Sequence, residues 1–166
     1  MVSVGVKLGG IGSHWVTACK QAVTDLNSLF RRKGIEVTLA VNGSGPTINV
    51  MTDPAILGAL VHGKTHAETD GAGKLVRAEV RLPVKLSINT PQGVRDAGTG
   101  YAEVIAAHEF VHALGHEPHN SHLMARTFGK VPGDRAAGDK LTAGGVSLPP
   151  IQLSDESVDQ LKAIWG

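Results

Sequence analysis

The chain has a single cysteine, Cys19, so it forms no internal disulfide, and the stapled frameworks of small secreted proteins are excluded. Long apolar runs are also missing. The longest strongly apolar stretch, Pro54 to Val61, is far shorter than the ~20 residues that span a bilayer. Met1 to Ser13 has no charged start followed by a continuous apolar segment, so no secretory signal is recognisable. The expectation is a protein with no membrane partner, either cytoplasmic or released by a non-classical route. Charge of one sign is not in excess either. Sixteen basic and 15 acidic side chains leave +1, which is no electrostatic footprint for nucleic acid. What is present, 42% hydrophobic residues in 166, suits one core and one domain over 1–166.

Glycine (21) and proline (8) are plentiful but dispersed between periodic segments, which means many turns rather than a linker. From Ser13 to Arg32, Trp15, Val16, Cys19, Ala22, Val23, Leu26 and Phe30 recur at helical spacing, predicting an amphipathic helix that stops near Gly34. Cys19 falls on its apolar face and reads as a buried side chain rather than a nucleophile. Ile35 to Val41 and Thr47 to Met51 read as two strands joined by the turn residues Asn42 to Pro46. Ala55 to Val61 reads as a short helix or strand, and Lys64 to Gly73 as loop. Leu75 to Asn89 alternates and reads as one or two strands. Pro83, which cannot donate a ladder hydrogen bond, belongs on an edge strand or at a break, and Leu75 to Leu82 is expected to be an exposed sheet edge. Tyr101 to Leu114 is apolar at helical spacing and stops at Gly115. Pro118 to Pro150 has no period and reads as long irregular chain. Ser154, followed by Asp155 and Glu156, is an N-cap signal for a closing helix with Val158, Leu161, Ile164 and Trp165 on one face. The fold class expected is α+β.

Histidine is distributed unevenly. Five of the eight (His108, His112, His116, His119, His122) fall within 15 consecutive residues. His108-Glu109-Phe110-Val111-His112 puts two imidazoles one turn apart on one helix face, within reach of a single tetrahedral Zn²⁺, with Glu109 beside them as a potential base. A metal that activates water needs a third protein ligand and an open position. Gly115 can take a left-handed conformation and turn the chain back to supply that ligand from beyond the helix.

Val104 to Gly115, with its H-A-L-G ending, resembles the active-site helix of the metzincin zinc peptidases, specifically the matrixins, whose signature is H-E-x-x-H-x-x-G-x-x-H followed by a Met-turn. Leu123-Met124 resembles that Met-turn, and Leu153 to Gly166 resembles the closing helix of matrixin catalytic domains. The resemblance implies a metzincin-like fold: a small, mostly parallel twisted sheet with an opening helix, a zinc-site helix and a C-terminal helix. It implies a zinc endopeptidase acting on a peptide or protein substrate, with Glu109 as general base, His108 and His112 as ligands, and Met124 as an apolar floor. The departure is at the third ligand. The tenth residue after His108 is Pro118, and histidines stand at 116 and 119 instead. A one-residue insertion makes His119 the expected ligand, with His116 and then His122 as alternatives. The strand Leu75 to Leu82 is expected to align substrate, and the segment after Met124 to form the specificity wall. Two other classes remain open: a binding or structural module with a closed four-ligand zinc site, and a zinc hydrolase that does not cleave peptides. His62, His66 and Asp70 read as exposed loop residues rather than a second metal site.

Overall fold

The computed structural model describes residues 1–56, 63–90, 93–96, 98–125 and 151–166. The readings of Ala55 to Val61 (from 57 on), of His62, and of the irregular chain and specificity wall over 126–150 lie outside the described residues.

The chain opens with strand β1 (Val2–Lys7), followed by helix α1 (Ser13–Lys33). Trp15, Ala18, Cys19, Ala22, Val23, Leu26, Leu29 and Phe30 make the buried stripe of α1, so the helical period seen in the sequence is its buried face. Gly34 ends it at φ 69°, a left-handed cap whose N–H returns to the carbonyls of Arg31 and Phe30. Then come β2 (Val37–Val41), β3 (Thr47–Thr52), β4 (Lys64–Thr69), β5 (Leu75–Leu82), β6 (Ser87–Thr90), β7 (Gly93–Asp96), α2 (Thr99–Ala113) and α3 (Asp155–Trp165).

Among the described residues the main sheet is five-stranded and mixed, in the order β2-β1-β3-β5-β4. β1 pairs in parallel with β2 and β3, and β3 with β5; β4 alone runs antiparallel, against β5. A separate antiparallel pair joins β6 to β7. The fold is therefore α+β with a mostly parallel sheet and three helices among the described residues. β2 and β3, the two strands joined by the turn residues after Val41, do not pair with each other, because β1 lies between them.

Leu75 to Leu82 is not a sheet edge. β5 is hydrogen-bonded to β3 on one side and β4 on the other, and Pro83 lies just past its end, where it interrupts no ladder. The Pro83 carbonyl is used instead by the buried Trp15 indole, whose Nε1 donates to it at 2.8 Å and ties α1 to the end of β5. Among the described residues the edge on this side of the sheet is β4, which the sequence presents as loop. Lys64, His66 and Glu68 point to solvent, while Thr65 and Ala67 point inward. Charged outward residues are the usual protection of an edge strand.

Ile48, Val50, Ala78, Val80 and Leu82 from the sheet meet α1 and α2 in one core, with Phe30, Phe110 and Leu114 fully buried. Each such large side chain contributes roughly 1.5–3 kcal/mol of burial. α2 lies against α1, β4 and β5, so its residues are buried nearly all round. Its His108 and Glu109 are polar groups in that interior. α3 is capped by Ser154, whose side chain accepts from the Ser157 N–H, and its Trp165 Nε1 donates to the Leu114 carbonyl at 2.8 Å. That bond fixes α3 to the end of α2, next to the histidines.

Candidate metal centre

His108 and His112 project from one side of α2 because they are one turn apart. The helix ends at Leu114, and Gly115 takes φ 113°, as the sequence suggested. A side chain there is doubly unwelcome: its Cβ would stand 2.7 Å from Ile164 Cδ1 of α3. The reversed chain delivers His119, and Asn120 next to it is moored to α3 by Nδ2 donating to Ser154 Oγ at 3.1 Å and Ser157 Oγ at 2.9 Å.

The outcome is a convergence of three ring nitrogens. His112 Nε2 lies 2.9 Å from His108 Nε2 and 3.2 Å from His119 Nε2. Among the described residues these three form the one histidine, cysteine or carboxylate group compact enough to hold a metal ion. His119 is thus the third member, and the alternatives are not. His116 is fully buried, with neither ring nitrogen hydrogen-bonded among the described residues, and His122 is exposed at φ 54° on the following turn.

Two carbonyls orient the cluster. His108 Nδ1 donates to Leu123 O and His112 Nδ1 to His116 O, both at 2.7 Å. A carbonyl only accepts, so in the neutral rings these bonds place the hydrogen on Nδ1 and the lone pair on Nε2. Two lone pairs then face each other at 2.9 Å. That arrangement repels itself, and a cation between the rings relieves it. Burial also holds the rings neutral, as a metal requires. It pushes His108 down to about 4 against the opposing pull of the Leu123 carbonyl, and it lowers His112 as well. The donor set and its outer partners fit a tetrahedral zinc with one open position. His116 contributes its backbone oxygen rather than its ring.

Leu123 and Met124 form a short 3-10 turn, both fully buried, and the Leu123 carbonyl beneath His108 places this turn under the cluster. Met124 is fully buried in that turn, next to the residue whose carbonyl holds His108.

Glu109 is 6% exposed beside the histidines, and burial raises its carboxyl to about 7, opposed by a hydrogen bond from the Thr65 hydroxyl of β4. A cleft of about 320 Å³ runs between β4 and the histidines, lined by Gly63, Thr65, Glu109, His112, Glu117 and His119. Thr65, Gly63, Asn120 and the two carbonyls were not singled out from sequence. For Thr65 a signal existed: the alternation of Lys64, His66 and Glu68 with Thr65 and Ala67 marks a half-buried strand next to the H-E-x-x-H helix. His66 is an exposed residue of β4 and Asp70 caps a turn, accepting from the N–H groups of Ala72 and Lys74.

No family model matches the chain, and no curated protein matches it.

Proposed function

We propose that the protein is a zinc-dependent endopeptidase of the metzincin type, similar to the matrixins. The observation that carries this reading is the convergence of ring nitrogens of His108, His112 and His119, with Glu109 beside them in an open cleft. The order of β1, helix α1, the remaining strands, the histidine helix α2 and the closing helix α3 supports it. So does the buried Met124, which follows the residue whose carbonyl holds His108.

His108, His112 and His119 would hold the metal. A bound zinc ion supplies Lewis-acid polarisation of a scissile carbonyl and of a water molecule. Glu109 takes a proton from the attacking water at a carboxylate oxygen and returns it to the leaving amine. In the metal-free protein burial raises its carboxyl to about 7, near the neutrality that suits a group that both accepts and releases a proton. No serine or cysteine nucleophile enters; Cys19 is buried in α1, where burial pushes its thiol up to about 12. β4, the exposed edge beside the cleft, takes the substrate-aligning role that the sequence assigned to β5.

A closed structural zinc site is less well supported, because three and not four ligands converge among the described residues. The test is hydrolysis of an unfolded protein by wild type and by Glu109→Ala, with zinc measured in both. Loss of cleavage with zinc retained is expected. Zinc loss in the variant, or unchanged cleavage, contradicts the role given to Glu109.

A further inference from the structure

We infer that Thr65 is the positioning residue for Glu109, and that it acts through its hydroxyl rather than through packing. The inference rests on the peptidase reading for its catalytic meaning, but its geometry stands independently.

Thr65 is on the inward face of β4 and half-buried against α2. Its Oγ1 donates to Glu109 Oε2 and lies 3.3 Å from the Glu109 backbone carbonyl. A hydroxyl has one hydrogen to give. The shorter contact, to Oε2, takes it, and the charge-assisted bond to a carboxylate is the stronger of the two. The other carboxylate oxygen is bounded by Gly63, where a Cβ would stand 3.0 Å from Oε1 and 2.9 Å from Cγ. Thr65 of β4 and Gly63 just before the strand thus clasp the carboxyl. Thr65 occupies Oε2, and Gly63, lacking a side chain, leaves space for Oε1.

The consequence is a division of labour between the two oxygens. Oε2 is engaged by Thr65, so Oε1 is the oxygen left to exchange a proton with water in the cleft. Glu109 otherwise turns about three side-chain bonds, and a base displaced by about 1 Å loses on the order of 100-fold in rate. The same strand forms the cleft's edge, which couples the position of the base to the element that substrate would pair with.

The experiment compares Thr65→Val, which keeps shape and removes the hydroxyl, with Thr65→Ser, which keeps the hydroxyl and removes a methyl. Steady-state kinetics on the zinc-loaded protein are expected to show kcat reduced by roughly 10- to 100-fold in Thr65→Val with KM within about twofold, and restored to within a few-fold in Thr65→Ser. Zinc content is expected to be unchanged in both. Crystal structures of both variants without metal supply the second readout. The Glu109 carboxylate should leave its place in Thr65→Val and keep it in Thr65→Ser. An unmoved carboxylate in Thr65→Val overturns the inference, as does a kcat loss that Thr65→Ser fails to rescue. If the wild type cleaves nothing, the peptidase reading fails, and the crystal structures still decide whether Thr65 holds Glu109.

Discussion

Replacing Glu109 by Gln in the metal-free protein is expected to stabilise it at neutral pH and make it more sensitive to acid. Glu109 is 6% exposed, and its carboxyl is raised by burial from 4.5 to about 7. Below 4.5 the group is protonated whether the chain is folded or not, so it contributes nothing. Between 4.5 and 7 the unfolded chain releases a proton that the folded chain keeps, and stability falls as pH rises, by about 1.4 kcal/mol for each unit. The loss is complete above 7 and amounts to about 3 kcal/mol. His108 has the opposite slope. Its ring is lowered from 6.5 to about 4, so as pH falls through that window the unfolded chain gains a proton that the folded one refuses. Stability then falls towards acid, and the lowered His112 and His116 act in the same direction. In the wild type the two slopes oppose each other between 4.5 and 6.5. Gln keeps an acceptor for Thr65 and removes one slope. Urea unfolding with a chelator present should find Glu109→Gln more stable than wild type by about 3 kcal/mol near pH 8 and by under about 1 kcal/mol near pH 4.5. An equal gain at both pH values, or a loss near pH 8, refutes the burial argument.

The remaining expectations concern the metal ligands and the turn that delivers them. His119→Ala should weaken zinc binding by more than the roughly 10- to 100-fold typical of an outer partner. His116→Leu should leave zinc bound and be neutral or stabilising, because the buried ring has no hydrogen bond to lose among the described residues. Zinc titration and thermal unfolding of the two variants check both statements, and an empty site in His116→Leu contradicts them. Zinc affinity should stay high as pH falls below 6.5, since the lowered His108 and His112 resist the competing protons. Affinity that declines steeply from 6.5 downwards, as unperturbed rings dictate, contradicts this. Gly115→Ala combines φ 113° with a Cβ 2.7 Å from Ile164 Cδ1, so it should cost roughly 1–3 kcal/mol and weaken zinc binding by displacing His119. A variant with unchanged melting temperature and zinc affinity argues against that role.

Helices α1 and α3 were legible because their signals are local: an apolar period ending at a glycine, and a serine cap followed by acidic residues. The strands were less so. β1 goes unread because Val2 to Lys7 is short and interrupted by Gly5, which is needed where a Cβ would come within 2.2 Å of the Gly43 carbonyl in the turn after β2. β4 looks like loop because Lys64, His66 and Glu68 are polar; its order comes from pairing with β5 and from Arg77 gripping Glu68 in two hydrogen bonds at 2.8 and 3.0 Å. The mistaken edge at β5 followed from taking Pro83 as the mark of an edge strand, whereas it marks a break one residue beyond the strand. At the site, His108, Glu109 and His112 share one helix and were readable from spacing. The choice of His119 over His116 depended on how Gly115 packs against Ile164 and on Asn120 being anchored to α3, which are contacts between segments distant in the chain.

The central claim is a three-histidine zinc site with an open position, and the most direct measurement is a crystal structure of the zinc-loaded protein with anomalous data at the zinc edge. One strong peak is expected at ~2.0–2.1 Å from Nε2 of each of His108, His112 and His119, with the fourth position free of protein ligands and facing Glu109. A peak with four protein ligands, or no peak at these histidines after zinc loading, contradicts it.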